Sequence, residues 1–158
     1  MFVLLRSIIY ASIFIGFFLV FMPAQILNKA NIIQPEAAGF FQASGMIIVI
    51  IGAMLVLWCL LTFVFIGRGT PAPFDPPRRL VIKGPYKYVR NPMYIGATFI
   101  LIGAAMYYHS FELSLYTSLF WGSLHIFIVY YEEPSLKERF ATEYTSYQQK
   151  VNRWLPKF

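Results

Sequence analysis

The segment Gly84–Tyr94, with the sequence GPYKYVRNPMY, concentrates the residue types that could do chemistry in this chain. It holds two basic residues, three tyrosines and an Asn-Pro step, and the acidic pair Glu132 and Glu133 follows about forty residues later. A guanidinium or a helix N-terminus binds anions, a carboxylate binds cations, and the face of a tyrosine ring attracts cations. Because both segments border apolar runs, the pattern predicts a polar ligand site at the surface of a membrane.

The elements that must position these residues are long apolar runs. The chain has 158 residues, of which 58% are hydrophobic and only 13% are charged, against roughly 25% charged residues in soluble domains. A membrane-spanning helix needs about 20 apolar residues. Four runs approach that length, and the third is the shortest: Val3–Met22, Ala37–Ile66, Pro92–Tyr108 and Leu113–Tyr131. We therefore expect an all-α integral membrane protein with about four transmembrane helices, the first a retained span rather than a cleaved signal peptide.

Basic residues cluster between spans two and three and in the C-terminal tail, whereas the other two connections carry almost none. The positive-inside rule then places both termini and the 67–92 loop in the cytoplasm. The small size suggests a prokaryotic inner membrane, with an endoplasmic reticulum membrane as the alternative. Nucleic acid is a poor partner for this chain, because its cations lie at span ends rather than in a separate module. The single cysteine, Cys59, excludes an intrachain disulfide and offers no metal-binding cluster.

Turn and cap residues divide the chain, which we expect to form a single domain of two N-terminal spans, 1–66, followed by a cofactor loop, helical hairpin and amphipathic tail, 67–158. Span one is predicted to end near Pro23, and the proline-rich segment Gly67–Pro77 to form a stiff loop. Asn91-Pro92 has the residue types of an N-cap and first helical position, so span three should begin there. A tail helix after Pro134 carries one apolar stripe at helical spacing, formed by Leu136, Phe140, Tyr144, Tyr147 and Val151.

Each of the residues that could bind a ligand also has a purely structural interpretation. Asn91 can serve only as a helix cap, and Arg90 can serve only to fix the topology. The tyrosines can belong to an interfacial aromatic belt, and the two glutamates can be first-turn acids of the tail helix. It is the combination of these residues at one membrane face that favours a functional site.

The string GPYKYVRNPMYIG, the Glu132-Glu133 pair and the tail resemble the isoprenylcysteine carboxyl methyltransferase and phospholipid N-methyltransferase superfamily of small membrane methyltransferases. Its members carry GPY-x-x-x-R-H-P-x-Y before a helical hairpin that ends in Glu-Glu, and then L-x-x-x-F-G-x-x-Y-x-x-Y-x-x-x-V-x-R-W-x-P. The likeness covers roughly Gly67–Phe158, whereas the first two spans match only in hydropathy. Two departures are Asn91 in place of the usual His and Ala141 in place of the usual Gly, and the first removes a titratable group.

The resemblance implies an S-adenosylmethionine site on the cytoplasmic face and no metal. The cofactor-binding residues it implies are Lys83, Gly84, Pro85, Tyr86, Tyr88, Val89, Arg90, Asn91, Pro92, Tyr94, Glu132 and Glu133. Arg90 is expected to bind the cofactor carboxylate, Glu133 or Glu132 its ammonium or a ribose hydroxyl, and Glu133 to accept a proton from an amine acceptor. Arg139 is expected to orient an acceptor carboxylate, which completes a catalytic set of Arg90, Glu133 and Arg139.

Three functions follow as hypotheses. The first is methyl transfer to a lipophilic acceptor, either a prenylcysteine-like carboxylate or a phospholipid headgroup amine, by a monomer or a homodimer in contact with membrane lipids. The second is an NADPH-dependent reductase like the sterol reductases, which share a related R-H-P-x-Y hairpin but are larger. The third is a small non-enzymatic membrane scaffold in which the loop serves only topology.

Overall fold

The computed structural model describes residues 9–10, 12–32, 39–67 and 80–157, and within those ranges the regular structure is helical throughout. The described residues contain five helices, some of them joined by short 3₁₀ and π-helical turns. We label them α1 (Ser12–Lys29), α2 (Phe40–Thr62), α3 (Pro92–Tyr108), α4 (Phe111–Phe127) and α5 (Glu133–Lys150). The expected all-α membrane architecture is confirmed. Three helical stretches, Ser12–Lys29, Phe40–Ile66 and Phe111–Lys150, are long and apolar enough to cross a membrane, and Pro92–Tyr108 is a shorter apolar helix.

The end predicted for span one is wrong, because α1 continues through Pro23 to Lys29. A π-helical segment, Ile15–Phe21, immediately precedes the α-helical turn that contains Pro23. A proline ring normally clashes with the carbonyl four residues earlier. A wider π turn relieves that crowding, so the proline is accommodated inside the helix.

The packing of α2 against α3 depends on two pairs of glycines in which the backbones of the two helices touch. A Cβ atom on Gly45 would lie 2.6 Å from the carbonyl oxygen of Gly103, and one on Gly52 would lie 2.6 Å from that of Gly96. Such small-residue faces permit close helix packing in lipid, where apolar burial gives little driving force. On the α3 side of this contact, Gly96 and Gly103 stand seven residues apart and so lie on one face of the helix.

The start of α3 lies where Asn91-Pro92 predicted it, but the capping role of the Asn91 side chain is wrong. Pro92 is the first helical residue, and Asn91 occupies the N-cap position without a side-chain capping bond. Its amide Nδ2 instead donates to the backbone oxygen of Arg153, at 3.4 Å. Pro92 lacks the N–H of the first helical position, so the start of α3 is already preorganised without a side-chain cap.

Span four and the tail helix are not separated by a break at Pro134, because the chain stays helical from Phe111 to Lys150. A π-helical turn, Ile128–Glu132, joins α4 to α5, and Pro134 lies in the first turn of α5. Glu132 therefore ends the π-helical turn, and Glu133 lies in the first turn of α5, within a continuous helix. The local irregularity comes later, at Ala141, whose φ of 39° and ψ of −113° are non-helical.

The apolar stripe of the tail helix is confirmed as its packed face. Tyr144, Tyr147 and Val151 form a buried cluster, against which Leu136, Phe140 and Leu80 pack. This face covers the segment that precedes α3 rather than leaving the helix unattached. The tail helix thus caps the end of the bundle where the polar residues of the sequence motif lie.

Candidate active site

The site is built around an ion pair between the start of α3 and the start of α5. Arg90 Nη2 donates to Glu133 Oε1 at 2.8 Å, and the two residues are 43 positions apart in the chain. Only 10% of the Arg90 side chain and 9% of the Glu133 side chain are exposed. Because ions lose hydration when they are buried, such a pair persists only when it is well hydrogen-bonded.

Glu133 satisfies that condition through two further donors. Arg153 donates to both carboxylate oxygens of Glu133, from Nε to Oε1 at 2.9 Å and from Nη2 to Oε2 at 3.0 Å. Gln148 Nε2 donates to Oε2 at 3.2 Å. The hydrogen bond to Glu133 also raises the pKa of Arg153 above its ordinary value. Glu133 is therefore a fixed anion held between two guanidinium groups.

Glu132 has a different environment, although it is the next residue. Its Oε2 accepts a hydrogen bond from the Tyr94 hydroxyl at 2.9 Å. Within the described ranges, Tyr94 is the one hydrogen-bond donor to Glu132, and no cation forms an ion pair with it. The adjacent carboxylates thus divide into one that the protein neutralises and one that remains available to a cation.

The loop before α3 is shaped by a short 3₁₀ turn, Gly84–Lys87. Gly84 has a φ of 60°, and a Cβ atom there would lie 2.9 Å from the Thr62 hydroxyl. Glycine is the residue that adopts this conformation without strain. The turn buries Tyr86, whose backbone oxygen accepts a hydrogen bond of 2.6 Å from the Tyr147 hydroxyl. Burial raises the pKa of the Tyr86 phenol well above its ordinary value.

The segment after α5 returns to the start of α3 through its backbone. The amide of Arg90 donates to the carbonyl of Asn152 at 2.9 Å. The Asn91 side chain, which is buried, donates to the carbonyl of Arg153. The residue that replaces the family histidine therefore holds the tail in place, and its amide has no protonation equilibrium with which to act as a base.

The structure brings together most of the residues that the sequence placed at the site. Those in mutual contact or buried in the same region are Pro85, Tyr86, Val89, Arg90, Asn91, Pro92, Tyr94, Glu132 and Glu133. Three others, Lys83, Tyr88 and Arg139, are exposed. Among the described residues, no hydrogen bond or ion pair reaches Arg139.

Sequence reasoning missed the residues of the tail that complete the site. Arg153 and Gln148 bind Glu133 directly, and Tyr147 binds the loop at Tyr86. The resemblance already contained Arg153 in its V-x-R-W-x-P pattern and Tyr147 in its tyrosine pair. That pattern indicated membership of a family but gave no three-dimensional position, so neither residue was assigned to the site.

One donor in this cluster has no partner. Among the side-chain nitrogen and oxygen atoms of the described residues, Arg90 Nε is the one that is buried without a hydrogen-bond partner. Leaving such a donor unsatisfied is costly in a native structure. Arg90 directly precedes the N-cap residue of α3, and the first backbone N–H groups of a helix favour an anion. The arrangement can therefore bind a ligand carboxylate at Arg90 and a ligand cation at Glu132.

These features define a class of protein, namely a small helical membrane protein with a charged ligand site at one end of its bundle. A family model for phospholipid methyltransferases matches residues 40–143. Because this match spans well over half of the chain, the chain belongs to the phospholipid methyltransferase family, a family of membrane methyltransferases that act on lipid-like acceptors. Comparisons with curated proteins and with solved structures found no match in either set.

Proposed function

We propose that the protein is an S-adenosylmethionine-dependent methyltransferase that acts on a lipophilic acceptor at the cytoplasmic face of the membrane. The observation that carries the proposal is the buried, unpartnered Nε of Arg90 beside an anchored helix N-terminus. A ligand carboxylate would satisfy this donor, and Glu132 would pair with the ligand's ammonium group. Arg90 and Glu132 together thus fit a ligand that carries a carboxylate and an ammonium on one small group.

When bound, S-adenosylmethionine supplies an electrophilic methyl group on a sulfonium sulfur. The chain's own task is then to bind, align and exclude water. Holding two reactants in line contributes about 7–11 kcal/mol to lowering a barrier. The network of Arg90, Glu133 and Arg153 fixes the geometry for this, because each charged group is held by at least one other.

Glu133 is poorly suited to the role of general base that was expected of it, and Glu132 is the carboxylate that a ligand cation can reach. Two guanidinium groups bind Glu133 and keep it ionised, so it has little tendency to accept a proton. Glu132 has one neutral donor, Tyr94, and no cation within the described ranges. Glu132 is therefore the carboxylate that would hold the ligand's ammonium group. A carboxylate acceptor needs no base, and an amine acceptor would react as the neutral amine and release its proton to water.

The cytoplasmic orientation rests on the position of the basic residues. The ion pair between Arg90 and Glu133 shows that the loop before α3 and the start of α5 lie at the same end of the bundle. The described cations of the loop, Lys83, Lys87 and Arg90, and those of the tail therefore belong to one face, which the positive-inside rule assigns to the cytoplasm. Anionic headgroups on that face would also attract them.

The test uses purified protein in detergent micelles, supplied with lipid vesicles and a labelled methyl donor. One arm contains a phospholipid with an ethanolamine headgroup, a second contains a prenylcysteine, and a third replaces the methyl donor with NADPH and a sterol. Transfer of label in the first or second arm supports the proposal and identifies the acceptor. Cofactor oxidation in the third arm with no methyl transfer in the others would replace the proposal with the reductase hypothesis.

A further inference from the structure

The four residues that follow α5, 151–154, form a clamp that lies outside the part of the chain matched by the family model, 40–143. We call residues 151–154 the tail clamp. Two of its backbone carbonyls hold the start of α3, through the amide of Arg90 at 2.9 Å and the side chain of Asn91 at 3.4 Å. These bonds join positions about sixty residues apart, so they fix the tail to the site.

The tail clamp is also anchored on the membrane-spanning helix α4. Trp154 Nε1 donates to His125 Nδ1 at 3.2 Å, and its ring contacts those of His125 and Trp121 with centroid distances of 6.0 and 5.6 Å. The position of Arg153 is therefore set from both sides. Val151 is buried in the tail cluster on one side, and Trp154 is attached to α4 on the other.

Within this clamp, Arg153 binds both oxygens of Glu133. A bidentate guanidinium–carboxylate contact fixes the orientation of both partners. Because Glu133 Oε1 also accepts from Arg90 Nη2, fixing the carboxylate fixes the guanidinium of Arg90. With Nη2 directed at Glu133, Arg90 keeps its Nε free of protein partners.

We propose that Arg153 is a positioning residue of the methyl-donor site, which acts through Glu133 to hold Arg90 with its Nε available to the ligand. This inference rests on the proposed function, because it concerns the affinity of the same site. Arg153 does not need to touch the ligand. Its contribution is the preorganisation of Arg90, which a displacement of about an ångström would impair.

The test measures binding of S-adenosylmethionine by calorimetry, with no turnover, to the full chain in detergent. Arg153→Ala should weaken binding by about tenfold or more. Arg153→Lys should recover part of that loss, because one ammonium keeps the charge but cannot form both bonds. Lys150→Ala, which removes an exposed cation from the same tail, is the matched control and should bind like the wild type.

A double variant separates positioning from a general structural role. If Arg153 acts through Arg90, then Arg90→Ala with Arg153→Ala should bind no more weakly than Arg90→Ala alone. Losses that multiply would contradict the inference, as would wild-type affinity in Arg153→Ala. If Arg153→Ala does not fold, Arg153→Lys takes its place, and wild-type affinity in that variant overturns the inference. Absence of binding by the wild-type protein would instead overturn the proposed function.

Discussion

Helix α3 is held in different ways at its glycine-lined middle and at its charged N-terminus. In the middle, Gly96 and Gly103 place the backbone directly against Gly52 and Gly45, and shape alone fixes the contact. At the N-terminus, the helix is held by hydrogen bonds and ion pairs from α5 and the tail clamp, and one donor remains without a partner. The glycine interface therefore specifies the fold by shape, whereas the charged end is where we propose that the ligand binds.

The largest expected effect comes from disrupting the glycine interface. Gly52→Leu should destabilise the protein by about 3 kcal/mol or more, because the new side chain meets the backbone of α3 and overpacking a fitted contact is costly. Thermal unfolding in detergent measures this change. Gly122→Leu is the control, since a Cβ atom there meets nothing within 4 Å. Equal stability of the two variants would show that close packing of α2 and α3 does not specify the fold.

The second-largest expected effect comes from replacing Glu132 near the charged N-terminus of α3. Glu132→Gln keeps an oxygen for the Tyr94 hydroxyl but removes the charge that would pair with the ammonium group of the methyl donor, so methyl transfer should fall by roughly tenfold. Initial rates with a labelled methyl donor measure it, and the folded state should be unaffected. Glu138→Gln, an exposed acid on α5, is the control and should transfer methyl groups at the wild-type rate. A wild-type rate in Glu132→Gln would remove Glu132 from the proposed mechanism.

The smallest effect is a gain in stability at Ala141. Its φ of 39° is unfavourable for alanine, and glycine adopts such values without a steric penalty. Ala141→Gly should therefore raise the free energy of unfolding by about 1 kcal/mol, which denaturation in detergent measures. Ala43→Gly, at an exposed helical position in α2, should instead lower it by about 1 kcal/mol. A loss of stability in Ala141→Gly would contradict the strained backbone at that position.

Parts of the glycine interface and of the charged end follow from the sequence, for physical reasons that differ. Gly96 and Gly103 recur at helical spacing, and the positive-inside rule brought Arg90 to the same face as Glu133. The roles of the two glutamates were not predictable, because adjacent residues project from different sides of a helix and spacing does not show which one a cation reaches. The contacts of Asn91 and Arg153 depend on how the tail returns to α3, which no local pattern encodes.

A second limit of prediction from the sequence concerns helix ends. The helix that contains Pro23 and the helix that contains Pro134 each continue past the proline. From the sequence, both prolines predict helix boundaries, because an α-helix excludes proline from its interior. Each follows a π-helical segment that widens the preceding turn. Propensities of single residues do not predict such a turn, because it is stabilised by the packing of the whole helix.

The most direct test of the central claim is a calorimetric titration of S-adenosylmethionine into the wild-type protein, Arg90→Ala and Lys87→Ala. Lys87 is an exposed cation in the same loop, so its variant changes the net charge equally but leaves the buried cluster intact. We predict saturable binding to the wild type and to Lys87→Ala, and binding at least about tenfold weaker to Arg90→Ala, a difference of about 1.4 kcal/mol. Equal affinity of all three proteins, or no binding to any of them, would contradict the assignment of the methyl-donor site to the start of α3.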